Sequence, residues 1–416
     1  MESTESTIDE FAENGLSGES EQRGRRDPNP PLGRADRSAA LRRRLVGALR
    51  RAAPALGLYL LLRAISATSF LLILRSNKIP LSQLLSMWDG QWYRVLAEQG
   101  YNGHFPNQAA HGGSYAWFPL YPALMRLLSV LPGLTAVRAG VLISFAASVF
   151  TAWALFEIGR WFRTAGTGVV LAGLWALVPA AVIEGIVYAD ALYFALATWA
   201  LYALVRRAWL TAGVLCLLAG LTRPSGFVLI AAVCLTALLA VLRREDRRRA
   251  VWTLVIAPVG AVAYVLAVGV HFGSLSGYFQ MQRQRWNNSL DWGATTKHYV
   301  AEVLLGRPDG TPLVFAIATA LVFLTPVLII AQLEQRQPLP WVVYSVGVAF
   351  MTLCSDRFYA TTARELMPAL PFMLLPLASL LDRPRRRYSI ATLMLLLAVA
   401  AGWYAWFAPI FTGYAP

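Results

Sequence analysis

The sequence has little charge for its length and no arrangement of cysteines that would build a metal or redox site. Charged side chains make up 14% of the 416 residues, whereas 57% are hydrophobic, which is too apolar for a soluble globular domain of this size. Cys216, Cys234 and Cys354 lie inside apolar stretches, too far apart for a metal knuckle or a redox pair. These absences predict an integral membrane protein whose cysteines pack in its core.

Lysine is almost absent, because it occurs only at Lys78 and Lys297, while arginine is abundant. A formal charge of +14 would suggest nucleic acid as the partner of a soluble protein. Here the basic residues lie mainly in the N-terminal tail and in short loops between apolar runs, which is the pattern of membrane topology. We therefore expect no nucleic-acid partner, and the arginine bias indicates a GC-rich bacterial genome.

The N-terminal residues 1–50 lack the apolar core of a cleavable signal peptide. They are rich in Ser and Glu at first and then in Arg and Pro, so we predict a disordered cytoplasmic tail over 1–50 and a membrane domain over 51–416. The arginines near its end could contact anionic membrane lipid or fix the orientation of the first span. These are Arg42, Arg43, Arg44, Arg50 and Arg51.

Apolar runs long enough to approach the thickness of a bilayer recur along the whole chain. They predict an all-α, polytopic membrane protein with about eleven transmembrane helices. The runs lie at residues 52–74, 136–158, 168–184, 187–205, 209–222, 225–242, 250–272, 312–331, 340–354, 366–381 and 389–409.

The short basic loops give this arrangement an orientation. With the tail in the cytoplasm, the segments around 160–167, 243–249 and 382–387 all fall on the cytoplasmic side, as the positive-inside rule requires. The loops 75–135 and 273–311 then face the opposite side. We expect a multi-pass protein of the bacterial plasma membrane with a cytoplasmic N-terminus.

The loop 75–135 contains two further helical patterns. Apolar residues recur at helical spacing from Leu81 to Leu96, and Gly100 can end that helix. A second short helix is predicted from Pro119 to Leu131. Both are expected to lie along the extracytoplasmic interface, where they roof a cavity in which lipid-borne and water-borne reactants meet.

Asp89 is the first candidate for catalysis, because a carboxylate among aromatic side chains at a bilayer surface is costly unless it does chemistry there. It could take a proton from an acceptor hydroxyl as a general base. Trp88, Trp92 and Tyr93 could raise its pKa by desolvation and offer faces on which a sugar ring stacks. Alternatively, Asp89 forms a local salt bridge, for instance with Arg94, and the aromatics form an interface belt.

Four blocks of the sequence follow one another in order: WDGQWY at 88–93, WFPLYP at 117–122, YADALYF at 188–194 and LTRPSG at 221–226. They resemble, in that order, the blocks of PIG-V-like mannosyltransferases, which belong to the GT-C class of polytopic glycosyltransferases. The resemblance implies transfer of a sugar, mannose, from a polyprenyl-phosphate donor with inversion on the extracytoplasmic side. It also implies that Asp89 is the base and that the acceptor is a glycolipid, a glycan or a protein.

Such a reaction needs cations for the leaving group, because a lipid phosphate gains negative charge as the glycosidic bond breaks. Arginine suits this task through its planar donor geometry. Arg223, Arg357 and Arg364 lie in turns predicted on the extracytoplasmic side, where the positive-inside rule disfavours arginine. They are therefore candidates to bind the donor phosphate. The alternative is that they pair structurally with Glu184, Asp190, Asp356 or Glu365.

Glu184, Tyr188 and Asp190 lie in a turn between two apolar runs, so we expect both carboxylates to face the same cavity. The candidate substrate-binding residues are these three together with Trp88, Trp92, Tyr93 and Arg94. The two carboxylates could bind acceptor hydroxyls or a divalent cation, or act as counter-ions for the arginines. No dedicated metal site is predicted, because His104 and His111 have no nearby carboxylate. No cofactor is predicted, and a divalent cation is left open.

Two other functions fit parts of the pattern. A secondary transporter would have ionisable residues at the bilayer midplane and internal repeats, whereas the charges here gather at one face. A non-catalytic scaffold subunit would need only the helical bundle.

Overall fold

The computed structural model describes residues 34–78, 81, 85–105, 112–306 and 312–407. The chain divides between Arg50 and Arg51 into an N-terminal unit and a body. Residues 1–33 of the predicted disordered tail lie outside the described residues. Helix α1 (Arg34–Ser76) begins inside that tail, because alanine, leucine and arginine, which are strong helix formers, replace the earlier Ser, Gly and Pro.

The described residues form helices almost throughout, with one pair of two-residue strands. Strand β1 (Ser289–Leu290) pairs antiparallel with β2 (Ser355–Asp356). The remaining helices are α2 (Asp89–Gln99), α3 (Leu120–Leu128), α4 (Ala136–Phe162), α5 (Ala165–Ala176), α6 (Asp190–Val205), α7 (Trp209–Ala219), α8 (Gly226–Leu242), α9 (Arg247–Ile256), α10 (Val259–His271), α11 (Gly277–Trp286), α12 (Ala294–Leu305), α13 (Leu313–Glu334), α14 (Leu339–Leu353), α15 (Thr362–Leu366), α16 (Leu370–Met373), α17 (Leu375–Leu381) and α18 (Arg387–Trp406).

Five helical segments of the described chain are long and apolar enough to cross a membrane, and a sixth is a pair bent by 55°, Tyr359–Met373 with Leu375–Leu381. Five shorter apolar helices accompany them. Each of the eleven predicted apolar runs coincides with one of these segments. The prediction of an all-α polytopic membrane protein is confirmed. The five long segments are Arg42–Ser76, Ala136–Phe162, Arg247–His271, Leu313–Glu334 and Pro384–Ala405, and the shorter helices are α5, α6, α7, α8 and α14.

The two short helices predicted in the loop 75–135 are also present. Helix α2 ends at Gly100, whose φ of 77° is accessible mainly to glycine and whose N–H bonds to Leu96. It begins at Asp89, later than the apolar pattern suggested. Helix α3 follows Pro119, which has helical dihedral angles and can start a helix because its missing N–H needs no partner there.

Backbone contacts between distant loops hold the ends of these helices together. The Val187 N–H donates to the Leu85 carbonyl at 3.0 Å, and the Leu120 N–H donates to the Leu221 carbonyl at 2.9 Å. Gly90 packs so closely on Val187 that an added Cβ would lie 3.2 Å from the Val187 carbonyl oxygen. The start of α2 is therefore fixed against the loop that precedes α6.

Candidate active site

A cavity of about 350 Å³ opens beside the start of α2 and the start of α6. Its walls come from the start of α2, the turn between α7 and α8, the end of α11 and the segment from the end of α14 to α15. One wall is ionic and the other is aromatic with two amides. The ionic residues are Asp89, Asp190, Arg223, Arg357, Arg364 and Glu365, and the opposite wall includes Trp88, Trp92, Trp117, Gln282, Trp286 and Asn288.

The ionic wall is a continuous chain of alternating charges. Arg364 donates through one terminal nitrogen to Asp89 Oδ2 at 2.6 Å and through Nε to Asp190 Oδ1 at 3.1 Å. Arg223 donates to the same Asp190 oxygen and, at 2.9 Å, to Glu365 Oε2. Charge-assisted bonds of this kind are stronger than neutral ones and fix the side chains in place.

The ionic wall ends at Arg357. Its guanidinium lies 3.3 Å from Glu365 Oε2 and donates a hydrogen bond of 2.6 Å to the Thr352 carbonyl. Three arginines and three carboxylates therefore balance in formal charge. Burial lowers the pKa of Arg223, but Asp190 and Glu365 outweigh it and leave the pKa above the usual arginine value. Burial lowers the pKa of Arg357, and Glu365 opposes this only in part.

Asp89 is the first residue of α2, and its side chain is 25% exposed, more than any other member of the ionic wall. Within the described chain, Oδ2 carries the bond to Arg364 and Oδ1 accepts none. The carboxylate thus has one oxygen anchored and one available at the cavity. The neighbouring Tyr93 is buried, and burial together with Asp89 holds its pKa well above the usual range, so its hydroxyl keeps its proton.

Trp88 precedes Asp89 with an unusual backbone conformation, φ 47° and ψ −117°. Together with the 2.9 Å bond from the Gly90 N–H to the Met87 carbonyl, this describes a type II′ turn, which normally has glycine at that position. A tryptophan there costs about 1–3 kcal/mol. The turn sets the position of Asp89 immediately after it, and strain of this kind clusters at functional sites.

The aromatic wall is a stack that runs into the protein. Trp92 lies between Phe105 and Trp117, with ring centroids 4.8 Å and 4.2 Å away. Trp286 meets both tryptophans edge-on. Because both faces of Trp92 are covered, it presents only its edge to the cavity. The expected stacking of a sugar on that ring does not fit this arrangement, although Trp92 does line the cavity.

The structure separates two predicted residues from this site. Glu184 is 1% exposed and accepts hydrogen bonds of 2.9 Å from Tyr59 and Trp175. It therefore does not line the cavity that Asp190 lines, and the expectation that the two carboxylates face one cavity is wrong. Arg94 is exposed and is not among the cavity residues, and Asp89 pairs with Arg364 instead of Arg94. The helix turns by about 100° per residue, which points Arg94 away from the side that buries Tyr93.

Tyr188 lies beneath the ionic wall and does not line the cavity. Its ring faces the guanidinium of Arg364, whose central carbon lies 4.8 Å from the ring centroid. This cation–π contact supports the side chain that joins Asp89 to Asp190. Tyr188 therefore contributes by supporting Arg364.

Several cavity residues were not predicted as site residues. Glu365 was considered only as a counter-ion, yet it joins Arg223 to Arg357. Gln282, Trp286 and Asn288 belong to the loop 273–311, whose amides and tryptophans resemble those of many wet loops. The adjacent opposite charges of Arg364 and Glu365 between apolar runs were the signal that could have identified Glu365.

In the part of the chain that the structure describes, no three His, Cys, Asp or Glu side chains are placed to hold a metal ion together. The three carboxylates of the cavity are instead bridged by arginines. A divalent cation for the reaction stays an open expectation.

Two solved structures are similar to this chain. ArnT from Cupriavidus metallidurans, bound to undecaprenyl phosphate, has a TM-score of 0.51 and 15% identity over 80% of this chain, which spans 62% of the length of ArnT. The Archaeoglobus fulgidus oligosaccharyltransferase in its apo form gives 0.48 and 14% over 87% of this chain and 56% of its own.

The family assignment comes from the sequence. No curated protein matches this chain. The model of the mannosyltransferase (PIG-V) family matches residues 59–300, a range that includes Asp89, Asp190, Arg223 and the aromatic wall. The chain is thus a multi-pass membrane protein that belongs to the PIG-V mannosyltransferase family.

Proposed function

We propose that this protein transfers a mannosyl residue from a polyprenyl-phosphate donor to a hydroxyl of a glycolipid, glycan or protein, with inversion, on the extracytoplasmic side of the membrane. Asp89 is the general base. Arg223, Arg357 and Arg364 hold the donor phosphate.

The observation that carries the proposal is the ionic wall. It brings a partly exposed carboxylate into the same cavity as three arginines that come from two distant segments of the chain. A glycosyl transfer from a lipid phosphate needs a proton acceptor and cationic donors in one water-poor site. The charges of the wall gather at one cavity and do not follow a path across the bundle, which favours this function over transport.

In the proposed step, Oδ1 of Asp89 takes the proton of the acceptor hydroxyl. The acceptor oxygen forms its bond to the anomeric carbon as the bond from that carbon to the phosphate oxygen breaks. The electron pair of the broken bond leaves on the phosphate, where the arginines stabilise the added charge. Attack opposite to the leaving group inverts the anomeric centre.

Support for the donor class comes from ArnT, whose structure contains undecaprenyl phosphate. Support for mannose comes from the family match. The acceptor is defined here only by its chemistry, a hydroxyl that reaches a cavity of about 350 Å³ with an aromatic wall.

A labelling experiment tests the proposal. Membranes that contain the protein are expected to transfer radiolabel from polyprenyl-phosphate mannose to a lipid, glycan or protein, and membranes without it are not. Donors carrying glucose or a pentose serve as sugar controls. Equal labelling in both membranes would contradict an enzymatic function and favour a scaffold, whereas transfer of another sugar would contradict only mannose.

The proposed orientation predicts which loops are accessible from outside the cell. In a variant without Cys216, Cys234 and Cys354, a membrane-impermeant maleimide is expected to label Gln284→Cys in intact cells and Arg248→Cys only after lysis. Both positions are exposed and lie in segments predicted on opposite sides. The reverse pattern would place Asp89 in the cytoplasm and would contradict the proposed side of transfer.

A further inference from the structure

A second cavity of about 210 Å³ lies between α1, α18 and residues 178–186, apart from the residues of the ionic wall. Its walls are apolar, and its volume arises because several of its lining residues are small. These are Ala67, Ala181, Gly185, Ala401 and Ala405.

The two helices that bound this cavity are tied together, so the space is a fixed feature of the fold. The hydroxyl of Ser66 donates to the Ala398 carbonyl at 2.8 Å. Gly402 lies against the backbone of Ser66 so closely that no side chain would fit there. A helix pair held at this separation cannot collapse onto the small residues beside it.

One charge, Arg63, lies among these apolar lining residues. It belongs to α1 within a segment long and apolar enough to cross the membrane, where an arginine is costly and normally marks a function. In the described chain no carboxylate forms an ion pair with it. Glu184 interacts with it only electrostatically, since the oxygens of Glu184 accept from Tyr59 and Trp175.

Among the described residues, the guanidinium of Arg63 has none of the acceptors that a donor group in low-dielectric surroundings requires, and it lies at an apolar cavity. A ligand that fits must supply an anionic oxygen to Arg63 and a hydrocarbon segment to the walls. We propose that this cavity binds one anionic phospholipid of the bilayer, with its phosphodiester on Arg63 and part of an acyl chain between α1 and α18.

The number of cations favours a bilayer phospholipid as the occupant. A phosphodiester carries one negative charge, which a single guanidinium matches, whereas a phosphomonoester carries about −1.5 to −2 near neutral pH. A lipid monophosphate, such as the product of the proposed transfer, carries more negative charge than Arg63 alone can neutralise.

A lipid in the second cavity would also contact the segments that position residues of the ionic wall. Leu85 and Ile186 line it, and the backbone bond between Leu85 and Val187 joins these segments. Asp89 and Asp190 follow a few residues later in the chain. A bound lipid would thus stabilise the loops that position both carboxylates.

Native mass spectrometry of the full chain in a neutral detergent tests the inference. At equal concentrations of phosphatidylglycerol and phosphatidylcholine, the unmodified chain is expected to retain one tightly held phosphatidylglycerol with a preference of about tenfold, because the trimethylammonium group of phosphatidylcholine offsets the charge of its phosphodiester beside Arg63. Arg63→Gln is expected to reduce the preference at that site to less than about twofold, and Arg63→Lys to retain most of it. Ala67→Phe, which fills the cavity, is expected to lose the tightly held lipid.

Arg126→Gln is the matched control, because Arg126 is exposed on α3 and does not line the cavity. It is expected to keep the preference, and this comparison also removes the general attraction of the basic residues 42–51. Circular dichroism and gel filtration identify any variant that fails to fold. The role of Arg63 in lipid preference is then judged from the Arg63 variants that fold. An unchanged preference in Arg63→Gln, an equal loss in Arg126→Gln, or displacement of phosphatidylglycerol by equimolar polyprenyl monophosphate would overturn the inference.

Discussion

Asp89→Asn is expected to lower the rate of sugar transfer about a thousandfold, within the range that general bases contribute. The amide has the shape of the carboxylate, and its oxygen can still accept the hydrogen bond from Arg364, but it cannot take a proton from the acceptor. We therefore expect kcat to fall while KM for the donor changes little. Initial rates with labelled polyprenyl-phosphate mannose, measured over a range of donor concentrations, give both constants.

Asp291→Asn is the matched control for this variant. Asp291 accepts hydrogen bonds from the N–H groups of Gly293 and Thr295 at the start of α12 and does not line the cavity. An asparagine keeps one of these two bonds through its single oxygen, because its amide nitrogen can only donate. Since the position lies away from the cavity, transfer is expected to stay within about twofold of the unmodified protein. Retention of more than a tenth of the activity by Asp89→Asn would contradict the assignment of Asp89 as the base.

The sequence predicted the membership of the ionic wall better than its connections. Arg223, Arg357 and Arg364 are conspicuous in the sequence because arginines predicted on the extracytoplasmic side oppose a strong topological rule. That rule identifies unusual residues but carries no information about which carboxylate each one meets. The pairing of Arg223 with Glu365, across 142 positions of the chain, depends on how α14 and α15 pack beside α7 and α8.

The predictions that Glu184 faces the cavity and that Trp92 stacks on a sugar are wrong for the same reason. A short turn does require neighbouring helices, but it does not determine where each side chain in the turn points. Glu184 faces Tyr59 of α1 and Trp175 of α5, whereas Asp190, at the start of α6, faces the arginines. Trp92 is likewise covered by Phe105 and Trp117, which come from later in the same loop. Contacts between distant segments decide such orientations.

Arg223→Gln is expected to remove nearly all transfer and to destabilise the fold by about 3–5 kcal/mol, because the three carboxylates of the ionic wall are then left with only two arginines. The side chains of Arg223 and Asp190 are only 8% and 2% exposed, so water cannot replace the missing guanidinium. Thermal unfolding in detergent measures the first effect through a lower Tm. Arg223→Lys keeps the charge but cannot reach Asp190 and Glu365 with a planar pair of donors, so we expect partial stability and a higher KM for the donor.

The double variant Asp190→Asn with Arg223→Gln separates the structural role of Arg223 from its proposed role in binding phosphate. It removes one charge of each sign, and the remaining pairs, Asp89 with Arg364 and Glu365 with Arg357, stay balanced. We therefore expect most of the lost Tm to return, because no carboxylate is left buried and unpaired. Transfer should stay low, because the leaving phosphate would still lack one of its cations. Recovery of both Tm and transfer in the double variant would show that Arg223 acts only as a counter-ion to Asp190, and the phosphate would then have to be held by Arg357 and Arg364 alone.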